Sequence, residues 1–297
     1  MAFGHPKHLI AFRPLALMAG LAILGADVCL SAQDIIPEER ERSAYRTPYR
    51  IEFATPRAEL VSDLEGTERG DPRFEAEIPH DEWYSRRVLE HRGAWGPVAR
   101  AYPGVPGIES WPVQARRERV VAIAMRFLGY GYQHHHLPDW SPPREWPWKE
   151  TCVGHNGRGV DCSNFTGFVY NQGFGLRFNT EVERQAEERE VRGPGESRMT
   201  PVQHVPLPES YQDRIAALRT GDLLFIRSDS GNISHVVIWV GGIGQSPDGA
   251  PLIIDSHGGE VEDSNGARIP CGIHIRPYRE KSWYNHSASH AIRVFVE

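Results

Sequence analysis

The sequence predicts an α+β domain in which helices pack on an antiparallel sheet of about five strands. Two helical segments come first, one from Val113 to about Gly129 and one over Cys162–Tyr170. Helices followed by consecutive strands favour an antiparallel sheet over alternating β-α-β units. Short apolar runs bounded by turn residues predict the strands. These runs are Leu223–Ile226, Val236–Val240, Leu252–Ile254, Ile273–Ile275 and Ala291–Val296.

Both helices are predicted from the spacing of their apolar residues. In the first, residues at helical spacing would form the buried face, and arginines occupy other positions. These apolar residues are Val120, Ile123, Ala124, Phe127 and Leu128. In the second, Phe165, Phe168 and Val169 would form the buried face.

The chain before the first helix has a different composition. Residues 33–112 are rich in charge and proline and have weak periodicity, with Trp83, Tyr84 and Trp95 as the best apolar anchors. We interpret this region as an extended arm or a small irregular domain of unassigned fold. The main domain would then occupy residues 113–297.

The N-terminus is typical of an export signal. Residues Leu15–Leu24 form an apolar run that is too short for a comfortable membrane span, and small residues lead to a cleavage site after Ala32. The basic residues in front of this run are His5, Lys7, His8 and Arg13. The sequence therefore predicts a signal peptide at 1–32 and a protein exported to the periplasm, cell envelope or exterior, with no membrane attachment after cleavage. A lipid anchor on Cys29 and an uncleaved N-terminal anchor are the alternatives.

Charge and cysteine count exclude two classes of protein. The chain has 33 basic and 39 acidic residues, a net charge of −6, so no basic excess exists to bind nucleic acid. Four cysteines are too few for a disulfide-based miniature scaffold. Cleavage would leave three cysteines, Cys152, Cys162 and Cys271. From this odd number we predict a disulfide between Cys152 and Cys271 and a free thiol at Cys162.

Three polar positions carry the pattern of a thiol-nucleophile site. Cys162 begins a predicted helix, whose positive end favours the thiolate form of a cysteine. His235 opens an apolar strand, and a polar cluster that includes Asp255 and His257 ends another. In such a site the histidine takes and returns the proton, and a third polar group orients the imidazole.

The motifs around these residues resemble the NlpC/P60 family of papain-like cysteine peptidases. The resemblance rests on Gly159–Phe165, on Gly221-Asp222-Leu223 and on Ser234-His235-Val236. The segment Leu128–Tyr132 is similar to the family's segment upstream of the cysteine. The resemblance spans roughly Arg116 to Glu297.

This resemblance implies a papain-like fold for the main domain and a thiol protease activity without a cofactor. Members of the family hydrolyse the peptide stems of bacterial cell walls, typically at γ-D-glutamyl-diamino-acid bonds. The partners of this protein would then be peptidoglycan stem peptides or muropeptides.

The family's catalytic residues transfer to three positions. Cys162 would be the nucleophile and His235 the general base. His257 is the favoured third member, because the family usually carries histidine there and sometimes asparagine or glutamine. Asp255 is the alternative, since residues two apart on a strand share a face.

The family's substrate-binding residues also have counterparts. Tyr132 resembles the tyrosine near the oxyanion site, where its hydroxyl would assist the backbone N–H of Cys162. Asp161 and Ser163 flank the nucleophile, and the resemblance implies that they hold the free amine of the stem peptide.

Two features depart from the family pattern. Asn164 stands where a small residue is usual, and an insertion between Tyr132 and Cys162 contains the run His134-His135-His136. Consecutive histidines point in different directions, so we expect a polar groove wall here and no metal site.

Two other functions are compatible with the sequence. A thiol acyltransferase would share the acyl-enzyme step and pass the acyl group to an amine or lipid. A non-catalytic cell-wall-binding module would retain the fold with a vestigial site.

Overall fold

The computed structural model of the protein describes residues 43–64, 82, 85–87, 102–132, 160–194 and 198–297. The predicted signal peptide, the three aromatic anchors of the arm, the histidine run and Cys152 lie outside the described residues. The α-helices are α1 Arg57–Leu60, α2 Val113–Ala124, α3 Cys162–Phe174, α4 Val182–Glu187, α5 Tyr211–Ala217 and α6 Trp283–His286. Short 3-10 turns occupy Ser62–Leu64, Ile108–Ser110, Met125–Phe127 and Gly241–Ile243.

The strands form one six-stranded antiparallel sheet and three two-stranded pairs. The central sheet has the order β11-β8-β6-β5-β12-β4, and the pairs are β1-β7, β2-β3 and β9-β10. Strands β1 to β6 are Arg50–Ile51, Glu190–Arg192, Met199–Pro201, Gln203–Pro206, Leu223–Arg227 and Ile233–Trp239. Strands β7 to β12 are Gly244–Gln245, Leu252–His257, Val261–Glu262, Arg268–Ile269, Gly272–Pro277 and Ala288–Arg293.

The expected α+β fold with an antiparallel sheet is confirmed, with two differences. The sheet has a sixth strand, β4, at its edge. The last predicted strand is displaced, because β12 ends at Arg293. The apolar residues beyond it pack instead of pairing: the ring of Phe295 lies 4.6 Å from that of Phe174 at the end of α3.

Both faces of the central sheet are buried, which explains why its strands are continuous apolar runs. Alternate residues of β5 and β6 belong to two separate apolar clusters. Leu223 and Phe225 pack with α2 and α3 in the larger cluster. Leu224 and Ile226 pack with Trp239 on the other face.

Helices α2 and α3 lie side by side and have different ends. Helix α2 stops at Ala124 and continues as a 3-10 turn, short of the predicted end near Gly129. Helix α3 runs four residues past its predicted end, to Phe174. Gly175 terminates it with a φ of 70°, a left-handed conformation that glycine adopts without steric cost.

Residues 43–64, the first described part of the arm, pack on the main domain. Strand β1 pairs with β7, and Leu60 is fully buried. The buried guanidinium of Arg119, on α2, donates to both carboxylate oxygens of Asp63 at 2.6 and 2.8 Å. The neighbouring Glu118 accepts from the backbone N–H groups of Ala54 and Thr55 at 3.0 and 3.2 Å. These buried polar contacts hold residues 43–64 against α2.

No helix in the described ranges has the length and apolarity that a membrane span requires.

Candidate active site

Cys162 is the first residue of α3, and its position depends on the preceding aspartate. Asp161 caps the helix: its Oδ1 accepts from the backbone N–H of Asn164 at 2.9 Å. The first backbone N–H groups of a helix have no partner within the helix and point toward its N-terminal end. Cys162 therefore lies at the positive end of a thirteen-residue helix, with only 5% of its surface exposed.

His235 brings the second functional group to Cys162. It lies on β6, is buried, and its ring is hydrogen-bonded to the Cys162 side chain. The Nε2 atom of the ring lies 2.7 Å from Oδ2 of Asp255, which leaves Nδ1 to face the sulfur. Burial lowers the pKa of His235, but the charge of Cys162 and the hydrogen bond with Asp255 outweigh it and raise this pKa to about 9. The imidazolium form is thus favoured at neutral pH.

Asp255, on β8, is fully buried and makes three strong contacts. Besides His235, Nη1 of Arg276 donates to Oδ1 at 3.0 Å, and the hydroxyl of Tyr284 donates to Oδ2 at 2.8 Å. Burial raises the pKa of Asp255, but the charges of Arg276 and His235 hold it well below its usual range. A carboxylate held ionised in this way orients the imidazole and stabilises its positive charge.

His257, the favoured third member from the sequence, lies beside His235 without occupying this position. The two rings contact edge to face with centroids 5.1 Å apart. Nδ1 of His257 is engaged by the backbone N–H of Gly259 at 2.9 Å. Burial lowers the pKa of His257. The side chain that hydrogen-bonds to the imidazole of His235 is Asp255, the alternative from the sequence.

A pocket of about 260 Å³ opens beside the nucleophile. Tyr132 lines it, with its ring against Gly258. Ser163 also lines it, and its hydroxyl donates to the carbonyl of Thr180 at 2.6 Å, which ties the pocket's far wall to α3. The remaining lining residues are Asp161, Cys162, Glu181, Val182, Glu183, Ile233 and Ser234. The charged side chains in this lining are all carboxylates.

Asn164, one of the departures from the family pattern, has a structural role in this site. Its side-chain amide donates to both carboxylate oxygens of Asp161, at 2.9 and 3.0 Å. The asparagine therefore fixes the rotamer of the capping aspartate that directly precedes the nucleophile.

The sequence did not indicate three further residues of this site. Arg276 and Tyr284 contact Asp255, as described above. The ring of Trp283 lies 5.6 Å from that of His235. These residues follow Cys162 by more than a hundred positions in the chain, and no local motif marks them.

No group of three or more potential metal-ligating side chains occurs within the described ranges. The histidine run of the insertion falls outside them.

The arrangement supports nucleophilic chemistry at sulfur. A thiolate at a helix N-terminus beside an imidazolium can attack a carbonyl carbon, and the imidazolium can then protonate the departing amine. The Cys162 backbone N–H and the Tyr132 side chain lie around the nucleophile, where an oxyanion would form.

Comparison with known proteins gives one family and several distant structures. The NlpC/P60 family model matches residues 151–291, whereas no curated protein matches the chain. An NlpC/P60 family protein from Bacillus cereus is 18% identical, with 61% of this chain and 40% of that chain covered and a TM-score of 0.34. NlpC1 from Trichomonas vaginalis is 16% identical, with 61% and 45% covered and a TM-score of 0.32. This chain thus spans less than half the length of these two proteins.

The peptidoglycan hydrolase RipB from Mycobacterium tuberculosis is 18% identical, with 87% of this chain and 98% of that chain covered and a TM-score of 0.36. The family assignment rests on the match to the family model. The matched segment of this chain contains Cys162, His235 and Asp255. This chain therefore carries an NlpC/P60 family domain at residues 151–291.

Proposed function

We propose that the protein is an exported cysteine peptidase that hydrolyses amide bonds in the peptide stems of peptidoglycan. The observation that carries this proposal is the buried hydrogen-bonded series Cys162–His235–Asp255 at the mouth of an open pocket. The match of residues 151–291 to the NlpC/P60 family model supports the substrate class, with the γ-D-glutamyl-diamino-acid bond as the scissile bond. The predicted signal peptide supports action outside the cytoplasm.

The reaction would proceed in two steps. The Cys162 sulfur attacks the carbonyl carbon, the oxyanion is held by the Cys162 N–H and Tyr132, and His235 donates its proton to the leaving amine. Water then attacks the thioester while His235 accepts a proton from it, and the carbon–sulfur bond breaks to release the acid and restore the thiolate.

Asp255 is our third member of the triad, in place of His257. Its carboxylate lies within hydrogen-bond distance of Nε2 and is held by Arg276 and Tyr284, so it can keep the imidazole oriented throughout the cycle. His257 touches the face of the same imidazole and has a different part in the site, argued below.

Asp161 and Ser163 would position the free amine of the stem peptide, as the family resemblance implies. The carboxylates of Glu181 and Glu183 on the same pocket add negative charge that favours a cationic group. Among the described residues, the pocket lining contains no cationic side chain, and outside it Nε of Arg184 lies 3.5 Å from Oε2 of Glu181.

The test is hydrolysis of purified muropeptides by the wild type and by Cys162→Ala. We expect the variant to lose activity completely and to unfold at a temperature close to that of the wild type. Turnover by Cys162→Ala at the wild-type rate would refute the proposal.

A matched pair of variants tests the third member. Asp255→Ala is expected to lower kcat by roughly 10²–10⁴-fold, the usual value of positioned acid–base catalysis. His257→Ala is expected to act mainly on KM. A larger loss of kcat in His257→Ala than in Asp255→Ala would return His257 to the triad.

A further inference from the structure

Trp283 is an unusual side chain for its place beside a buried imidazole. Within the described ranges, the large hydrophobic side chains that are exposed by more than a third are Met199, Trp283 and Val296. Trp283 is 36% exposed, and its ring lies 5.6 Å from that of His235 and 5.9 Å from that of His257. An indole thus reaches solvent directly beside the proposed general base.

The pocket and Trp283 contact different parts of the site. The pocket is lined by residues 132, 161–163, 180–183 and 233–234, and neither His257 nor Trp283 belongs to this lining. During acylation the acyl half of the substrate stays on sulfur, and the amine must lie within hydrogen-bond reach of His235 to receive its proton. Among the described residues, the rings that flank His235 are those of His257, Trp283 and Tyr284, and Tyr284 is buried. The atoms beyond that amine would therefore extend over His257 and Trp283.

We propose that the indole of Trp283, with His257 beside it, forms the subsite for the amine half of the substrate, an amino acid with a long aliphatic side chain such as a diamino acid. The inference rests on the proposed function of the same site. A half-exposed indole offers a flat apolar face to methylene groups, and its ring attracts an ammonium group. Because burial lowers the pKa of His257, this neighbour is neutral at pH 7 and does not repel such a cation.

The same subsite would bind an amine that attacks the thioester in the reverse direction. The amine nitrogen forms a bond to the carbonyl carbon, the carbon–sulfur bond breaks, the sulfur leaves as thiolate, and the amine proton passes to His235. Trp283 therefore sets the share of acyl-enzyme that is transferred to an amine instead of to water.

The experiment measures this share directly. An L-alanyl-γ-D-glutamyl ester generates the acyl-enzyme, L-lysine or ammonia is added as acceptor, and mass spectrometry quantifies the amide and acid products. Wild type is compared with Trp283→Ala, Trp283→Phe and the control Val296→Ala. Val296 is also apolar and exposed, at 49%, but it lies beside Phe295 at the far end of α3 from Cys162.

We expect Trp283→Ala to lower the amide-to-acid ratio with lysine at least fivefold and to leave the ratio with ammonia unchanged, since ammonia is too small to reach the indole. Trp283→Phe and Val296→Ala should keep ratios close to the wild type. The ratio counts only molecules that form the thioester, so partial misfolding does not change it. An unchanged lysine ratio in Trp283→Ala would overturn the inference, whereas a wild type that forms no thioester by intact mass would overturn the proposed function itself.

Discussion

Replacing Asp255 with asparagine should lower the pKa of His235 and leave the shape of the site intact. The pKa of this imidazole is raised from 6.5 to about 9, because the charge of Cys162 and the hydrogen bond that the ring donates to Asp255 overcome the effect of burial. Because folding raises this pKa, the associated stabilisation is fully present below pH 6.5 and is lost as the pH rises through 9. At about 1.4 kcal/mol per pKa unit, the whole rise in the pKa of His235 corresponds to about 3 kcal/mol of stability.

Asp255 and Cys162 both raise this pKa against the effect of burial, so loss of the Asp255 charge removes part of the rise. We therefore expect Asp255→Asn to lower the titration midpoint of His235 by about one to two pH units, or ~1–3 kcal/mol. The alkaline limb of kcat/KM should move to lower pH by the same amount. The variant also leaves the buried charge of Arg276 without its carboxylate, which typically costs about 3–5 kcal/mol of stability.

The measurement is a histidine NMR titration of both proteins, with the His235 signal assigned from His235→Gln. Asp222→Asn is the matched control, because Asp222 is also a buried aspartate paired with an arginine, Arg293, at 2.7 Å. It should lose comparable stability and leave the His235 titration unchanged. An unchanged His235 midpoint in Asp255→Asn, or a wild-type midpoint near 6.5, would refute the reasoning.

Three further changes test other parts of the structure. Tyr284→Phe removes the O–H bond to the Asp255 carboxylate and should cost ~1.5–3 kcal/mol in urea unfolding, and a neutral result would mean that this bond is absent in solution. Glu188→Gln should raise the Tm at pH 8 and leave it unchanged at pH 4. Burial raises the pKa of Glu188 to about 7, so ionisation of this carboxyl above pH 7 destabilises the folded state. A lower Tm of the variant at pH 8 would contradict this. Asp63→Asn takes the carboxylate from the buried Arg119 and should cost ~1–3 kcal/mol, whereas an unchanged urea midpoint would show that residues 43–64 are not held there.

The sequence predicts the central strands well because each is buried on both faces. Strands β5, β6, β8 and β11 are apolar runs bounded by turns, and this signal is local. Strand β4 was missed because Val205 is its sole buried residue, whereas β11, at the opposite edge, is buried along its whole length. The predicted bounds of β12 were wrong because Val294 and Phe295 lie beyond its end. Their apolar side chains pack in the larger core cluster and do not belong to a paired strand.

In the candidate site too, the sequence predicts the residues that a local motif marks and misses the contacts that depend on tertiary structure. Cys162 and His235 stand at the start of a helix and near the start of a strand, where short motifs mark them. The partner of His235 depends instead on contacts between strands. Strand β8 pairs with β11 so that His274 lies opposite Asp255, which places Arg276 diagonally across from the carboxylate that it holds. A choice between two polar residues on one strand face cannot be made without this tertiary alignment.

The buried anchoring of residues 43–64 has a practical consequence for expression. A recombinant fragment that begins at the first residue of the family match would omit α2, and one that begins at Val113 would uncover the groove filled by Leu60. The second fragment would also leave the Arg119 guanidinium without the Asp63 carboxylate. Expression boundaries for this protein should therefore be set upstream of Ser43, well ahead of the catalytic segment.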